Sequence, residues 1–167
     1  GDPYLTASPS PETVNHGTTA SFTAGFNGSN YSVRWYKTGV GALSNGAKYT
    51  GANAATLQVL NCANADEGSF YCVATDNAFP ANTATSASAA LTVHDPVVQT
   101  NPVPAATSQH ASASFTAAFS GSGHTVQWFK QGDSNPLSDG AKYSGVTTTT
   151  LTLTDCVNAD EGDYYCV

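Results

Sequence analysis

Hydrophobic and polar residues alternate along most of this chain with a period of two. Such alternation turns every second side chain to the same face, as in a β-strand with one buried side. Clusters of Asn, Gly, Ser and Asp separate these stretches and predict turns, and no stretch shows the 3.6-residue period of an amphipathic helix. The sequence therefore predicts an all-β protein. The clearest alternating sets are Ala20, Phe22, Ala24 and Phe26; Val33 and Trp35; Leu57 and Val59; Phe70, Cys72 and Ala74; and Ala89, Leu91 and Val93.

The alternating pattern occurs twice, which indicates an internal repeat. The junction is repeated as well, because Gly1-Asp2-Pro3 corresponds to His94-Asp95-Pro96. A domain of roughly 90 residues can bury a modest core of its own. We predict one domain over residues 1–94 and a second over residues 95–167. The pairs of matching residues are Phe22 and Phe115, Trp35 and Trp128, Cys62 and Cys156, and Cys72 and Cys166.

Two motifs in each repeat carry a family resemblance. The first is V-x-W-[YF]-K, at residues 33–37 and 126–130, and the second is A-D-E-G-x-[FY]-Y-C, at residues 65–72 and 159–166. A tryptophan followed by D-x-G-x-Y-x-C resembles the immunoglobulin superfamily, in which the second motif leads from strand E into strand F. The resemblance covers essentially the whole chain and implies two tandem immunoglobulin-like β-sandwiches. The phrase W-Y-K-x-G…L-S-x-G is similar to repeats of bacterial surface and secreted proteins.

The resemblance also assigns structural core residues. Trp35 and Trp128 are expected in the two cores, together with Phe70 and Tyr164 on strand F. In the family, a tyrosine at this last position donates its hydroxyl group to the backbone of the preceding turn, in the arrangement called the tyrosine corner. Only Tyr164 keeps the hydroxyl group, so the first domain is expected to lack this bond.

The cysteines depart from the family pattern. The strand B cysteine is replaced by Ala24 and Ala117, and each domain has a second cysteine after strand E instead. The resemblance then implies a disulfide within each domain and an oxidising, extracellular location. Buried free thiols are the alternative. The implied bonds are Cys62–Cys72 and Cys156–Cys166.

The carboxylates of the repeated A-D-E-G motif allow two interpretations. In the family, the aspartate pairs with a basic residue on strand D, and this implies the structural ion pairs Lys48–Asp66 and Lys142–Asp160. The second interpretation is a calcium site, because Asp66, Glu67 and Asp95 would lie at one pole of the first domain and Ca²⁺ takes oxygen ligands.

Composition excludes several classes of function. The chain has 5 Lys and Arg residues against 12 Asp and Glu residues and a net charge of -7, so it has no basic surface for nucleic acid. No apolar run approaches the roughly 20 residues of a membrane span, so we expect no membrane insertion in this segment. The 4 histidines lack metal-ligand spacing, and we expect neither a cofactor nor catalytic residues. Asn27 and Asn30 match the N-glycosylation pattern.

The second repeat reaches Val167 directly after its strand F cysteine, so the second sandwich is expected to lack strand G. Two explanations follow. The chain is a fragment of a longer array, or another copy supplies the strand by β-augmentation.

The sequence as a whole predicts a structural or adhesive segment of an extracellular surface protein or filament, assembling by strand complementation between copies. Its partners would be other copies, neighbouring repeats, or a cell-surface protein or glycan. One alternative is a ligand- or glycan-binding module that uses the B–C and F–G loops, with Tyr31, Phe79 and Pro80 in contact with the ligand. The other is a non-catalytic appendage of a secreted enzyme.

Overall fold

The computed structural model describes residues Gly1–Val167 and divides into two compact units, Gly1–Asp95 and Pro96–Val167. The boundary lies one residue beyond the one expected from the repeat. Both units are β-sandwiches, which confirms the all-β prediction. The helical segments are two 3₁₀ turns, Asn64–Asp66 and Asn158–Asp160. Neither turn has the length or the apolar character needed to cross a membrane.

Eleven strands form the first domain, and they assemble into two facing sheets and a small ribbon. The larger sheet has the order β2-β11-β9-β5-β6 with β10 beside β9, the facing sheet has the order β3-β8-β7, and β1 pairs with β4. The strands are β1 (Tyr4–Ala7), β2 (Glu12–Asn15), β3 (Ala20–Thr23), β4 (Gly25–Asn27), β5 (Tyr31–Lys37), β6 (Gly41–Ala42), β7 (Tyr49–Thr50), β8 (Thr56–Val59), β9 (Gly68–Asp76), β10 (Thr83–Thr85) and β11 (Ala89–His94).

The core of the first domain lies between these sheets. Alternate residues of β9 are buried, as are alternate residues of β3 and β8. The rings of Phe22 and Phe70 stack with their centroids 5.1 Å apart. Trp35 is fully buried and donates its indole N–H to the carbonyl oxygen of Ala54 at 2.8 Å. The period-two pattern therefore identified the buried faces correctly.

Strand β11 closes one side of this sandwich. It pairs with β2 in parallel, from Leu91 opposite Glu12, and with β9 in antiparallel, from Ala89 opposite Phe70. Its side chains alternate between core and solvent, and Ala89, Leu91 and Val93 are all buried. The strand therefore covers the core and also satisfies two backbone edges.

Seven strands form the second domain and repeat part of this plan. The sheets are β12-β14, β13-β17-β16 and β15-β18. Phe115 stacks on Tyr164 at 5.2 Å, and Trp128 donates its indole N–H to the carbonyl oxygen of Thr148 at 2.8 Å. The strands are β12 (Val97–Thr100), β13 (Ala113–Thr116), β14 (Ala118–Ser120), β15 (Trp128–Lys130), β16 (Tyr143–Ser144), β17 (Thr150–Leu153) and β18 (Tyr164–Cys166).

The second domain differs from the first along one side. Within residues 96–167 the strands end with β18, and residues 105–108, which correspond to β2, form no strand. Core residues along this side of the second domain are more exposed than the equivalent residues of the first domain. Phe22 and Cys72 are buried in the first domain, whereas Phe115 and Cys166 are only half-buried in the second.

Candidate functional site

The structure brings together the ion pair predicted for the first domain. The Lys48 ammonium lies 2.8 Å from the Asp66 carboxylate, and the same carboxylate oxygen accepts the backbone N–H of Ala63 at 2.9 Å. Lys48 also donates to the carbonyl oxygens of Leu60 and Asn61, each at 3.0 Å. Asp66 is 7% exposed. The pair therefore ties the segment after β8 to the 3₁₀ turn, which is a structural role.

The second domain contains the equivalent pair. Lys142 lies 2.8 Å from Asp160, and Asp160 accepts the backbone N–H of Val157 at 2.9 Å. The hydrogen bond from Lys142, followed by that from Val157, lowers the pKa of Asp160 below 3.8. The reciprocal bond to Asp160 raises the pKa of Lys142 above 10.5. Both groups therefore stay charged over the whole neutral range.

These pKa shifts predict how the stability of the second domain depends on pH. Because the pKa of Asp160 is lowered on folding, its contribution is complete above 3.8 and is lost as the pH falls further. The pKa of Lys142 is raised, so its contribution is complete below 10.5 and is lost as the pH rises further. We expect the difference in melting temperature between the wild type and Asp160→Asn to be constant from pH 5 to pH 9 and to shrink below about pH 4. A difference that persists unchanged at about pH 2 would contradict this role.

In each domain, the lysine at the end of β5 or β15 donates to a carbonyl oxygen of the 3₁₀ turn. The sequence analysis missed this contact. Lys37 donates to the carbonyl oxygen of Asp66 at 3.1 Å and lies 5.5 Å from the centre of the Phe70 ring. A Cβ atom at Gly68 would stand 2.7 Å from the Lys37 side chain, and Gly68 has a φ of +149°. The glycine of the motif is therefore required both by its backbone and by the lysine. The recurrence of Lys37 as Lys130 was the available signal.

The tyrosine corner is present in the second domain. The Tyr164 hydroxyl group donates to the carbonyl oxygen of Asp160 at 2.6 Å, and burial followed by the neighbouring Tyr143 raises its pKa, so it remains protonated. Phe70 has no hydroxyl group, as expected. The carbonyl oxygen of Asp66 nevertheless has a donor, because Lys37 takes the place of the missing tyrosine.

Because Lys37 replaces the tyrosine as donor in the first domain, exchanging Phe and Tyr at positions 70 and 164 should change stability by unequal amounts. Tyr164→Phe should destabilise the second domain by about 0.5–1.5 kcal/mol, because a partly buried carbonyl group loses its donor. The reverse change, Phe70→Tyr, should stabilise the first domain by less than this, since Lys37 already supplies a donor. Chemical denaturation of both variants measures the two values. Equal and opposite changes would show that Lys37 does not act in this way.

The calcium interpretation is wrong. The Glu67 carboxylate accepts the backbone N–H of Val93 at 2.8 Å, and the Asp95 carboxylate lies 3.1 Å from the His16 ring and accepts the N–H of Asn64 at 3.2 Å. The carboxylate of Asp66 is held by Lys48. The three side chains therefore have separate partners, and no group of three potential ligands converges anywhere in the chain.

The two predicted disulfides are also wrong, because all four thiols are free. Cys72 lies two residues after Phe70, and the Phe70 ring stacks on Phe22. The backbone N–H of Cys62 instead donates to Thr18, which lies four residues before Phe22. At 3.3 Å per residue this register separates the two cysteines by on the order of 15 Å, and a disulfide requires Cα atoms within about 7 Å. The second domain has the same register for Cys156 and Cys166. The cysteines therefore give no support for an oxidising location.

The predicted B–C loop (Asn27–Tyr31) and F–G loop (Asp76–Ala81) of the first domain meet at one pole. Asn77 donates its backbone N–H to the carbonyl oxygen of Asn30 at 2.9 Å. The buried Asp76 carboxylate accepts the N–H groups of Ala78 and Phe79, which holds the loop in a tight turn. Phe79 at its tip is 67% exposed. The loops are thus tied to each other and present one aromatic ring to solvent.

Other predicted residues of this pole have different surroundings. Asn27 and Asn30 are exposed, and the Asn27 amide donates to the Tyr4 hydroxyl group at 2.8 Å. Tyr31 is half-buried, with its hydroxyl group donating to the carbonyl oxygen of Phe26 at 3.1 Å, whereas Pro80 is exposed. The structure therefore leaves Phe79 and Pro80 as the accessible part of the predicted loop site.

A cavity of about 360 Å³ lies on the more exposed side of the second domain. We call it the strand groove. One wall is the segment 105–109, the other is the turn and strand from Val157 to Tyr164, and the floor includes Phe115 and Leu153. The groove thus combines an apolar floor with backbone that is not part of any sheet.

A family model of the immunoglobulin I-set domain matches residues 3–93 and again residues 96–167. No curated protein sequence matches the chain. Among solved structures, the chain is similar to a mutated three-domain immunoglobulin fragment of titin. The identity is 25% and the TM-score is 0.60, with 99% of this chain and 59% of that one covered.

Two further structures are similar. A Dscam structure has 21% identity and a TM-score of 0.61, over 99% of this chain and 42% of that one. The first four immunoglobulin domains of Sidekick-1 have 21% identity and a TM-score of 0.61, over 99% of this chain and 44% of that one. At these identities the likeness shows the fold alone. This chain spans less than two thirds of each of the three structures, and none of them supports the bacterial-type origin expected from the sequence.

Proposed function

Because the chain belongs to the immunoglobulin I-set family, we propose that it is a structural or adhesive segment of an extracellular protein, without catalytic activity, in which copies or neighbouring repeats join by β-strand addition. The observation that carries this proposal is the strand groove. In the first domain the same position is filled by β11, which pairs with two strands. In the second domain residues Pro96–Val167 do not cover this position, and added strands bind such edges through their backbone groups.

The likeness to titin supports a structural role, since that fragment also consists of immunoglobulin domains in series. The extracellular location is supported by the exposure of Asn27 and Asn30, which allows an oligosaccharide at either position. Mass spectrometry of the protein isolated from its native cells tests the location, because an oligosaccharide at these positions is attached only along the secretory pathway.

The assembly proposal is tested by sedimentation velocity over a range of concentrations. We expect association that Ala106→Lys abolishes, because a charged side chain within the strand groove opposes strand addition. The matched control is Ala81→Lys, which places the same charge on an exposed loop of the first domain and should leave association unchanged. Protein that remains monomeric at every concentration would refute assembly between copies.

Loop recognition of a cell-surface protein or glycan is the second candidate, and the exposed ring of Phe79 favours it. An adhesion assay on cells or glycan surfaces would compare Phe79→Ala and Pro80→Ala with Val40→Ala, which truncates a side chain that is 70% exposed elsewhere on this domain. Loss of adhesion in the first two variants alone supports loop recognition. Unchanged adhesion in all three, and in Tyr31→Ala, rejects it.

A further inference from the structure

The first domain contains two Asn-Gly sequences, Asn27-Gly28 and Asn45-Gly46. An asparagine in this context can lose ammonia, because the backbone nitrogen of the glycine attacks the side-chain carbonyl carbon and no Cβ atom obstructs the ring closure. Asn27 and Asn45 are both exposed, so exposure does not decide which of them reacts. The hydrogen bonds of the attacking nitrogen and of the carboxamide decide it instead.

Hydrogen bonds hold both reacting groups of Asn45-Gly46 away from each other. The Asn45 side-chain oxygen accepts the backbone N–H of Ala52 at 2.8 Å. The Gly46 N–H donates in another direction, to the carbonyl oxygen of Tyr49 at 2.8 Å. Ring closure at this position therefore has to break two hydrogen bonds before the nitrogen can reach the carboxamide.

The second domain repeats this arrangement with an aspartate. Asp139 stands in the place of Asn45, and its carboxylate accepts the backbone N–H of Val146 at 3.1 Å. The Gly140 N–H donates to the carbonyl oxygen of Tyr143 at 2.8 Å. The two bonds are thus a property of the fold at this turn, and they hold an amide or a carboxylate equally well.

The groups of Asn27-Gly28 are arranged for reaction. The Gly28 N–H donates to the side-chain oxygen of Asn27 itself at 2.9 Å, so the attacking nitrogen already lies beside the carboxamide. The side-chain nitrogen donates to the Tyr4 hydroxyl group at 2.8 Å on the surface of the domain. A rotation about the Cβ–Cγ bond turns the carboxamide carbon towards the nitrogen, and groups held in contact in this way react faster than groups held apart.

We propose that Asn27 is a site of spontaneous deamidation, and that its conversion to isoaspartate releases β1 from β4. The Gly28 nitrogen gives its proton to water and forms a bond to the Asn27 Cγ atom, and the side-chain nitrogen leaves as ammonia. Water then opens the five-membered succinimide ring at either carbonyl carbon, which gives aspartate or isoaspartate. No electrons are transferred, and water is the sole co-reactant.

Isoaspartate alters the backbone where β4 pairs with β1. Its main chain runs through the side chain and is longer by one carbon atom, and Asn27 lies opposite Tyr4 in the β1–β4 pair. The next residue has no room for a longer chain, because a Cβ atom on Gly28 would stand 3.0 Å from the Cα atom of Pro3. The two strands therefore cannot keep their register after the conversion.

Deamidation also competes with the glycosylation proposed for Asn27. An oligosaccharide would be attached to the nitrogen that leaves as ammonia, so each copy of Asn27 is either glycosylated or open to the reaction. Asn30 is followed by Tyr31, whose side chain obstructs the ring closure, and it keeps its amide. The two neighbouring glycosylation patterns thus differ, since one is lost with time and the other is stable.

Peptide mapping by mass spectrometry measures the reaction in the intact chain, prepared without oligosaccharide and kept in mildly alkaline buffer. We expect Asn27 to become a mixture of aspartate and isoaspartate at least about tenfold faster than Asn45 reacts. Unfolding in urea should make the two rates alike, because it breaks the hydrogen bonds of Asn45 and Gly46. Equal rates in the folded chain, or an Asn27 that reacts only after unfolding, would overturn the proposal.

Hydrogen exchange tests the release of β1 in three samples. Aged wild-type protein should lose protection over Tyr4–Ala7. Asn27→Gln keeps an amide but requires a larger ring, so it should neither react nor lose protection on ageing. Freshly prepared Asn27→Asp carries the new charge on an unaltered main chain and should stay protected. Equal protection in the aged wild type and in Asn27→Gln, or lost protection in fresh Asn27→Asp, would refute release by the longer main chain.

Discussion

Replacing Trp35 with alanine is expected to lower the free energy of unfolding of the first domain by about 3–5 kcal/mol. The side chain is fully buried at the centre of the sandwich, and its removal leaves a cavity that the surrounding sheets cannot close. The indole N–H also satisfies the carbonyl oxygen of Ala54, which would lose its donor. Since small domains are stable by only about 5–15 kcal/mol, this change removes a large part of the total.

Hydrogen exchange with mass spectrometry is the appropriate measurement, because it reports each domain separately. Protection of β5 and β9 should fall in Trp35→Ala, while Val40→Ala, at an exposed position, should resemble the wild type. Trp128→Ala is the equivalent change in the second domain. If Trp35→Ala and Val40→Ala show the same protection, the tryptophan does not hold the core in the way described.

Replacing Asp66 with alanine is expected to destabilise the first domain by about 2–3 kcal/mol. The carboxylate accepts both the Lys48 ammonium and the Ala63 N–H, and both donors lose their partner at once. The expected loss of stability does not exceed this range, because Lys48 is partly exposed and water screens its interaction with Asp66. Lys48 also keeps its bonds to two carbonyl oxygens.

Urea denaturation of three variants separates charge from hydrogen bonding. Asp66→Asn keeps an acceptor oxygen for the Ala63 N–H, so it should lose less stability than Asp66→Ala. Asp133→Ala removes an exposed carboxylate of the second domain and should change little. Equal losses in the two Asp66 variants would mean that the ion pair with Lys48, and not the bond to the backbone, carries the whole effect.

The sequence predicted those features that depend on local pattern. Alternation placed Phe22, Trp35 and Phe70 in the core, because a side chain's face in a strand follows from its position alone. The repeat predicts a boundary after His94, and the two compact units divide after Asp95. The difference between Phe70 and Tyr164 was sufficient to predict which domain has the hydroxyl bond, because that bond is made within the motif itself.

The sequence pattern could not predict features that depend on distances between strands. Cys62 and Cys72 are close along the chain. The turn between them leads from β8 in one sheet to β9 in the facing sheet, and it places the two cysteines at different heights along the sandwich. Glu67 was a candidate calcium ligand because a carboxylate is a usual oxygen donor for calcium. Its carboxylate accepts the N–H of Val93, 26 residues away in the sequence, and backbone donors leave no signal in a pattern of side chains.

The two free thiols of the first domain report when that domain opens. Cys72 is fully buried, and burial raises its pKa to about 12, so a closed domain offers an alkylating reagent almost no thiolate. Burial raises the pKa of Cys62 in the same way. Labelling therefore has to wait for the sandwich to open, and its rate counts opening events directly. Stretching the molecule or heating it can each be followed by the time at which these sulfur atoms react, without any engineered label.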